Sequence, residues 1–254
     1  MLGRRQLLEL FAFALAGSGC THERGSEAIR VAAASNVADV VALIAAAYRE
    51  RGGAEIAISS GSSGKLYAQI ENGAPFHVFL SADAQRPALL EAKGLALPGS
   101  RFTYALGRLA LIGRKLEHPA DGAVDLRAGR FERLAIANPA TAPYGVAALE
   151  VLDRLGVRVA DDKLVRGENV AQALQFVDSG AVDLGLVAFS NVKARGERSF
   201  WKVPGNLHAP IRQDAVQLTA SRSQAEAGRF FAFLRGESAR ALFSRAGYDV
   251  PAHD

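Results

Sequence analysis

The sequence predicts an α/β protein with two lobes joined by two crossing strands, near 102–112 and 212–219. Short apolar segments of strand character alternate with segments of helical periodicity, which is typical of parallel βαβ units. The long strand-like stretch at 102–112 separates a first set of these units from a second. A return strand at 215–219 precedes two terminal helices, and we expect these helices to pack on the first lobe.

The first set of units starts at residue 29. Each of its apolar strands leads into a loop and a helix start, and these strands are predicted at 29–33, 56–58 and 78–80. The helix at 37–51 is indicated by apolar residues at helical spacing, namely Val40, Val41, Ile44, Ala47 and Tyr48. The other helices of this set are predicted at 65–71 and 85–92.

The second set continues the alternation of strands and helices. Its strands are predicted at 134–137, 164–165 and 184–187, and its helices at 144–155 and 169–178. The terminal helices are predicted at 224–234 and 238–246. The resulting domain organisation is a signal segment at 1–20, a linker at 21–28, a first lobe formed by 29–104 and 219–254, and a second lobe formed by 105–218.

Composition excludes several classes of protein. A chain of 254 residues with 49% hydrophobic and 22% charged residues is globular and long enough for two lobes. The net charge of +4 is scattered without a basic run, so we expect no nucleic-acid partner. The single cysteine excludes an internal disulfide, and the five dispersed histidines give no spacing for a metal cation.

The first twenty residues resemble an export signal. Arg4 and Arg5 precede a short apolar stretch at 7–17, which is too short to span a bilayer, and small residues lead to Cys20. This end resembles a lipoprotein signal, although Gly17 replaces the usual leucine, and the arginine pair is also compatible with twin-arginine export. We therefore expect a periplasmic protein, with Cys20 as a possible lipid anchor to the membrane.

Three strand-to-helix junctions collect small polar residues: AASN at 33–36, GSSG at 61–64 and TAPYG at 141–145. Open parallel sheets bind ligands at this edge, and the unpaired N–H groups of a helix start attract anions. Ser35, Asn36 and Ser63 add neutral donors. Each junction also has a simpler interpretation, since Asn36 with Asp39 could form a capping box and Pro143 is common in a first turn.

Catalytic patterns are not evident at these junctions. No serine shares a comparable loop with a histidine, and GSSGK at 61–65 is too short for a P-loop. Lys65 is the one charged residue of these loops, and we expect its side chain to point away from the first turn. An enzyme usually needs a titratable group in such a place, whereas a reversible binder does not. We therefore expect no catalytic residues and no cofactor.

Taken together, the junctions resemble the molybdate-binding proteins of bacterial molybdate ABC transporters over residues 29–250. The resemblance rests on the order and spacing of VAAASN at 31–36, SSGKL at 62–66, QIENGAP at 69–75, FLSAD at 79–83, NP at 138–139 with PYG at 143–145, and AGY at 246–248. It implies a two-lobed periplasmic binding protein fold of type 2, in which hinged lobes close on a ligand.

The resemblance also implies a ligand set. Ser35 and Ser63 would give hydroxyl and backbone donors, and Tyr144 and Val170 would give backbone N–H groups. In one branch of the family a tyrosine hydroxyl completes the site, but Ala188 stands at that position here. A second branch uses an asparagine after the first hydroxyl residue, and Asn36 fills that place.

The implied function is capture of molybdate, and of tungstate as well, for delivery to an inner-membrane ABC permease by a monomeric protein. No metal cation takes part, since molybdenum is present only in the bound oxyanion. The alternatives are a binder of another oxyanion such as sulfate, a small-carboxylate binder, a hydrolytic enzyme with Ser63 or Lys65 as nucleophile, and the sensing lobes of a regulator. Composition and spacing leave these alternatives open.

Overall fold

A computed structural model describes residues 28–197, 199–219 and 224–252. The predicted signal segment, Cys20 and most of the linker lie outside these residues. The described chain forms two mixed five-stranded sheets flanked by helices, which confirms the predicted two-lobed α/β fold. Of the helices in this part of the chain, none combines the length and apolar composition that crossing a bilayer requires.

The elements follow the predicted alternation along the chain. The strands are β1 Ile29–Ala34, β2 Ile56–Gly61, β3 Val78–Leu80, β4 Phe102–Gly107, β5 Leu109–Ile112, β6 Leu134–Ala137, β7 Leu164–Gly167, β8 Leu184–Ala188, β9 Trp201–Lys202 and β10 Ile211–Gln217. The helices are α1 Ala38–Glu50, α2 Ser63–Glu71, α3 Gln85–Ala92, α4 Ala123–Ala128, α5 Pro143–Arg154, α6 Val170–Asp178, α7 Phe189–Ala194, α8 Gln224–Arg235 and α9 Glu237–Arg245.

The two sheets share one design. The first has the order β2-β1-β3-β10-β4, in which β1 is parallel to β2 and β3 and β10 is antiparallel to its neighbours. The second has the order β7-β6-β8-β5-β9, in which β6 is parallel to β7 and β8 and β5 is antiparallel to its neighbours. Each sheet therefore has a parallel part whose carboxyl ends form a ligand-binding edge.

The crossings differ in detail from those predicted. The stretch expected as one strand at 102–112 is two strands, since β4 pairs with β10 of the first sheet and β5 pairs with β8 and β9 of the second. The strands that pair with β10 are β3 and β4 of the first sheet, although the predicted boundaries assign 211–217 to the second lobe. The local sequence does not reveal either change, because the residue pattern of a strand does not say which of the two sheets it joins.

The C-terminal helices pack on helices and strands of the first lobe. Phe230 of α8 and Phe243 of α9 are fully buried. The Phe230 ring meets Tyr48 of α1 with centroids 5.3 Å apart, and the Phe243 ring meets Tyr104 of β4 at 5.1 Å. Aromatic pairs at these distances bury large apolar surfaces, so the chain end is held firmly against the first sheet.

Candidate functional site

All five residues proposed from the sequence line one small cavity between the two sheets. The cavity is narrow, and Ser35, Asn36, Ser63, Tyr144 and Val170 are all buried around it. They converge because the carboxyl ends of parallel strands are adjacent. Ala34 at the end of β1 is paired with Gly61 at the end of β2, and Ala137 at the end of β6 is paired with Gly167 at the end of β7.

The hydroxyl of Ser63 is oriented by a backbone amide. Ser63 is the first residue of α2, and its Oγ accepts a hydrogen bond from the Ala82 N–H at 2.9 Å. Because the oxygen already accepts from Ala82, its own proton is left to donate elsewhere. The capping role falls instead to Ser62, whose side chain accepts from the Lys65 N–H at 3.4 Å.

Two helix starts from the second lobe face the first. Tyr144 follows Pro143 at the start of α5, and Val170 is the first residue of α6. The backbone N–H groups of a first helical turn have no partner within the helix and carry the positive end of its dipole. Asn169 caps α6 by accepting from the Gln172 N–H at 3.0 Å, so the turn is fixed in place.

Asn36 has a different environment. Its Nδ2 donates to Gln213 Oε1 at 2.8 Å and to the Tyr248 hydroxyl oxygen at 2.9 Å, and Val37 rather than Asn36 is the N-cap residue of α1. The capping-box interpretation of Asn36 is therefore not supported. Its Oδ1 is buried and has no hydrogen-bond partner among the described residues.

Charge is absent from the walls of the cavity. The twelve residues that line it, all within the described ranges, include no Lys, Arg, His, Asp or Glu. Lys65 lies outside the cavity and pairs with Glu168 at 2.9 Å, with both side chains more than half exposed. No titratable side chain in the described part of the chain is hydrogen-bonded to Ser63, so the nucleophile alternative finds no support.

The lobes meet directly above this cavity. The Gly64 N–H donates to the Thr141 carbonyl oxygen at 2.9 Å, which joins the start of α2 to the loop before α5. A Cβ at position 64 would lie 3.0 Å from that oxygen and 3.1 Å from Thr141 Cα. Glycine is needed here because the two backbones approach so closely.

Sequence reasoning missed the residues behind the cavity. Gln213, which holds Asn36, carries no motif of its own, and Ala82, which orients Ser63, lies in the FLSAD string without a role assigned to it. Tyr248 belongs to the AGY string of the resemblance, but nothing in its sequence context indicates a contact with Asn36. Gln213 lies in the strand sequence IRQDAVQ, in which Arg212, Asp214 and Gln217 are polar as well, so its position carries no signal of its own.

A second polar cluster lies on the second lobe. Ligand atoms of Glu117, His118 and Asp125 lie within 4.8 Å of one another. Asp125 already accepts the backbone N–H groups of Glu117 and His118, at 3.0 and 2.8 Å, and lies 2.7 Å from His118 Nδ1. These bonds account for the cluster, because they hold the loop at Glu117 and His118 against α4.

Comparisons with known proteins agree with this geometry. Residues 29–249 match the family model described as bacterial extracellular solute-binding protein. The chain is 43% identical over 226 residues to the molybdate-binding protein ModA of Azotobacter vinelandii, which covers 87% of this chain and 90% of that protein. The ModA of Rhodobacter capsulatus is 40% identical over 218 residues, covering 85% and 86%.

A solved structure gives the same result. The periplasmic molybdate-binding protein of Azotobacter vinelandii superposes with a TM-score of 0.84 at 38% identity, covering 88% of this chain and all of that one. These relatives are named as molybdate-binding proteins. The chain belongs to the family of bacterial extracellular solute-binding proteins.

Proposed function

We propose that this protein captures molybdate between its lobes and delivers it to the permease of an ABC transporter. Tungstate, with the same shape and charge, binds in the same place. The observation that carries the proposal is the convergence of five buried, uncharged residues on one small cavity. Two relatives named as molybdate-binding proteins, at 43% and 40% identity, support the choice of ligand.

In this proposal the ligand is held by donors alone. The hydroxyls of Ser35 and Ser63 donate from the first lobe, the backbone N–H groups of Tyr144 and Val170 donate from the second, and the Asn36 amide completes the set. Several charge-assisted bonds share the cost of removing a dianion from water, so no counter-cation is needed.

The chemistry of the cavity discriminates among anions. Molybdate is a bare dianion near neutral pH and needs only donors, whereas phosphate keeps a proton that requires an acceptor. No carboxylate among the described residues lines the cavity, which disfavours phosphate. A small carboxylate ligand is usually met by arginine, and no arginine of the described chain lines the cavity either.

Closure is the proposed route from capture to delivery. We assign 28–107, 211–219 and 224–252 to the first lobe, and 108–197 and 199–210 to the second, following the sheet to which each strand belongs. The lobes hinge at the chain crossings beside Gly107 and Ile211, and opening at the permease releases the ligand.

We also propose that the protein is exported to the periplasm and works there as a monomer. A lipid on Cys20 would anchor it to the membrane. Labelled palmitate should enter the full-length protein and be absent from Cys20→Ser, and light scattering should give the monomer mass. Equal labelling of both proteins would contradict the anchor, and a larger mass would contradict the monomer.

Calorimetric titration of the purified protein with four anions tests the assignment. Molybdate and tungstate should bind tightly with one site per chain, sulfate more weakly, and phosphate without detectable heat. Tight binding of sulfate or phosphate with no response to molybdate would overturn the assignment and favour the other-oxyanion alternative.

A further inference from the structure

A buried hydrogen-bond network lies behind the candidate ligand cavity and joins the two lobes. Gln213 of β10, which is fully buried, is at its centre. Its Nε2 donates to the Tyr144 hydroxyl oxygen at 3.0 Å, and its Oε1 accepts from Asn36 Nδ2 at 2.8 Å. The Tyr104 hydroxyl lies 2.9 Å from the same Oε1 and 2.8 Å from the Ser81 carbonyl oxygen. Gln213 therefore contacts two of the proposed ligand residues at once.

The network leaves one atom unsatisfied. Both hydrogens of Asn36 Nδ2 are used within it, by Gln213 and by Tyr248. Asn36 Oδ1, the amide atom that the network does not use, is buried without a partner among the described residues. An unpaired buried acceptor is costly, and one on a residue that lines a dianion site is more so. In this arrangement the two Asn36 N–H groups are engaged by Gln213 and Tyr248, so neither can donate to a ligand.

Rotating both amides by 180° gives a second arrangement, in which Asn36 Oδ1 gains partners and Asn36 Nδ2 is the atom without one until a ligand binds. Gln213 Nε2 would donate to Asn36 Oδ1 and to the Tyr104 oxygen, while Tyr104 donates to the Ser81 carbonyl. Gln213 Oε1 would accept the Tyr144 proton. An amide exchanges donor and acceptor by such a rotation at almost no change of shape.

The remaining two hydroxyls also fit the second arrangement. Tyr248 would turn its proton from the Asn36 carbonyl oxygen, now 2.7 Å away, to Asn36 Oδ1. Ser190, whose Oγ lies 3.3 Å from that carbonyl oxygen, would take over the bond to it. Asn36 Nδ2 would then hold the position that Oδ1 has now, with two N–H groups free for a ligand.

The hydroxyl protons needed for this exchange are retained near neutral pH. Burial raises the pKa of Tyr104, Tyr144 and Tyr248 above the usual tyrosine value. Each hydroxyl therefore has one proton to donate and an oxygen to accept with.

We propose that Gln213 is a positioning residue that sets the orientation of the Asn36 amide and turns together with it when a tetrahedral dianion binds. This inference rests on the proposed function for the location of the ligand. In the turned arrangement Asn36 presents only donors, so a ligand that carries a proton finds no acceptor there. Gln213 thereby contributes to selection of bare dianions although it does not touch the ligand.

A double-mutant cycle tests the coupling of the two amides. Gln213→Met keeps the length of the side chain and removes its hydrogen bonds, and it should weaken dianion binding roughly tenfold when Asn36 is present. In an Asn36→Ala background the same change should alter affinity less than about twofold, because Gln213 acts through Asn36. Equal losses in both backgrounds would overturn the proposal.

Gln217→Met is the matched control. Gln217 is buried on the same strand, but its Nε2 bonds to Gln224 and not to the network, so its replacement should leave affinity unchanged. The cycle uses whichever dianion binds the wild type most tightly in the anion panel. A wild type that binds sulfate but not molybdate would contradict the proposed function, while the cycle would still decide the role of Gln213.

A second test follows the ¹⁵N-labelled wild type by nuclear magnetic resonance, so its result does not depend on whether a variant folds. The side-chain NH₂ signals of Asn36 and Gln213, assigned by their loss in the variants or by sequential methods, should shift together as the dianion is added. A Gln213 signal that stays in place while the ligand saturates the protein would contradict the proposal.

Discussion

At Ser63 a backbone amide determines where a side-chain hydroxyl donates. The Ala82 N–H occupies one acceptor position of Oγ, and the residue is buried at the first position of α2. A neutral hydroxyl in this setting acts as an oriented donor toward a developing or bound negative charge. The same logic applies to the backbone N–H groups of Tyr144 and Val170, which the helix starts orient without any side-chain contribution.

Ser63→Ala should weaken molybdate binding about 10- to 100-fold, since one charge-assisted bond worth about 1–3 kcal/mol is lost. The Ala82 N–H loses its partner too, so the free energy of unfolding should fall by about 1 kcal/mol while the protein still folds. Calorimetry and urea denaturation measure the two effects. Ser59→Ala, an exposed serine on β2, is the control. Unchanged affinity in Ser63→Ala would remove this hydroxyl from the ligand set.

At the scale of elements, Asp183 connects the start of β8 to the chain before β6. Its Oδ2 accepts from the Glu132 N–H at 2.7 Å, and its Oδ1 accepts from Arg114 Nε at 2.9 Å. Burial alone would raise the pKa of Asp183, but Arg114 and the backbone N–H groups outweigh it and hold the pKa below its usual value. The ionised carboxylate therefore stabilises the second sheet.

Asp183→Asn should lower the free energy of unfolding at pH 7 by about 1–3 kcal/mol. A lowered folded-state pKa gives stability that is fully present above the unfolded value of 3.8 and is lost as the pH falls through the folded value. The difference in the free energy of unfolding between wild type and Asp183→Asn should therefore become smaller below about pH 4. Urea denaturation at several pH values measures it.

Asp161→Asn is the control for this pH series, because Asp161 is almost fully exposed in its pair with Arg166. Its effect should stay within about 1 kcal/mol at any pH. If the difference in the free energy of unfolding between wild type and Asp183→Asn were constant from pH 7 to pH 3, the ionised carboxylate would not be what stabilises the second sheet.

The elements themselves were largely predictable, and the network behind the site was not. Periodicity and Gly-Ser or Pro-Tyr junctions predict the strand ends and helix starts that carry Ser63 and Tyr144, because local pattern and local structure coincide there. The Asn36 contacts join residues 177 and 212 positions apart. No local pattern records such a pairing, so Gln213 could be found only once the strands had been placed together.

At the scale of the whole molecule, closure depends on close approach of two backbones. Gly64 donates across the cleft to Thr141, and exposed Lys65 pairs with Glu168 beside it. An exposed ion pair contributes little in water, so we expect the backbone contact to matter more than the ion pair. Gly107 has a related role at the crossing, where a Cβ would overlap the Tyr144 hydroxyl and Gln213.

Gly64→Ala should hinder full closure, because its Cβ would lie 3.0 Å from the Thr141 carbonyl oxygen of the other lobe, whereas Arg86 Nη2, at 3.1 Å, is the end of a flexible side chain that can move. Small-angle scattering with saturating molybdate should show a larger radius of gyration than in wild type, and affinity should fall about tenfold or more. The control is Gly228→Ala in α8, where a Cβ finds ordinary contacts at 3.7 Å or more. If Gly64→Ala with molybdate reached the same radius of gyration as the wild type, the close approach of Gly64 to Thr141 would not be what limits closure.

The central claim is that uncharged N–H and O–H groups alone hold a dianion inside this cavity. A crystal structure of the protein with molybdate, using anomalous scattering from molybdenum, tests it most directly. The account predicts a single peak enclosed by Ser35, Asn36, Ser63, Tyr144 and Val170, with no charged side chain in contact. A peak contacted by lysine, arginine or a metal ion, or a closed cavity without molybdenum, would contradict it.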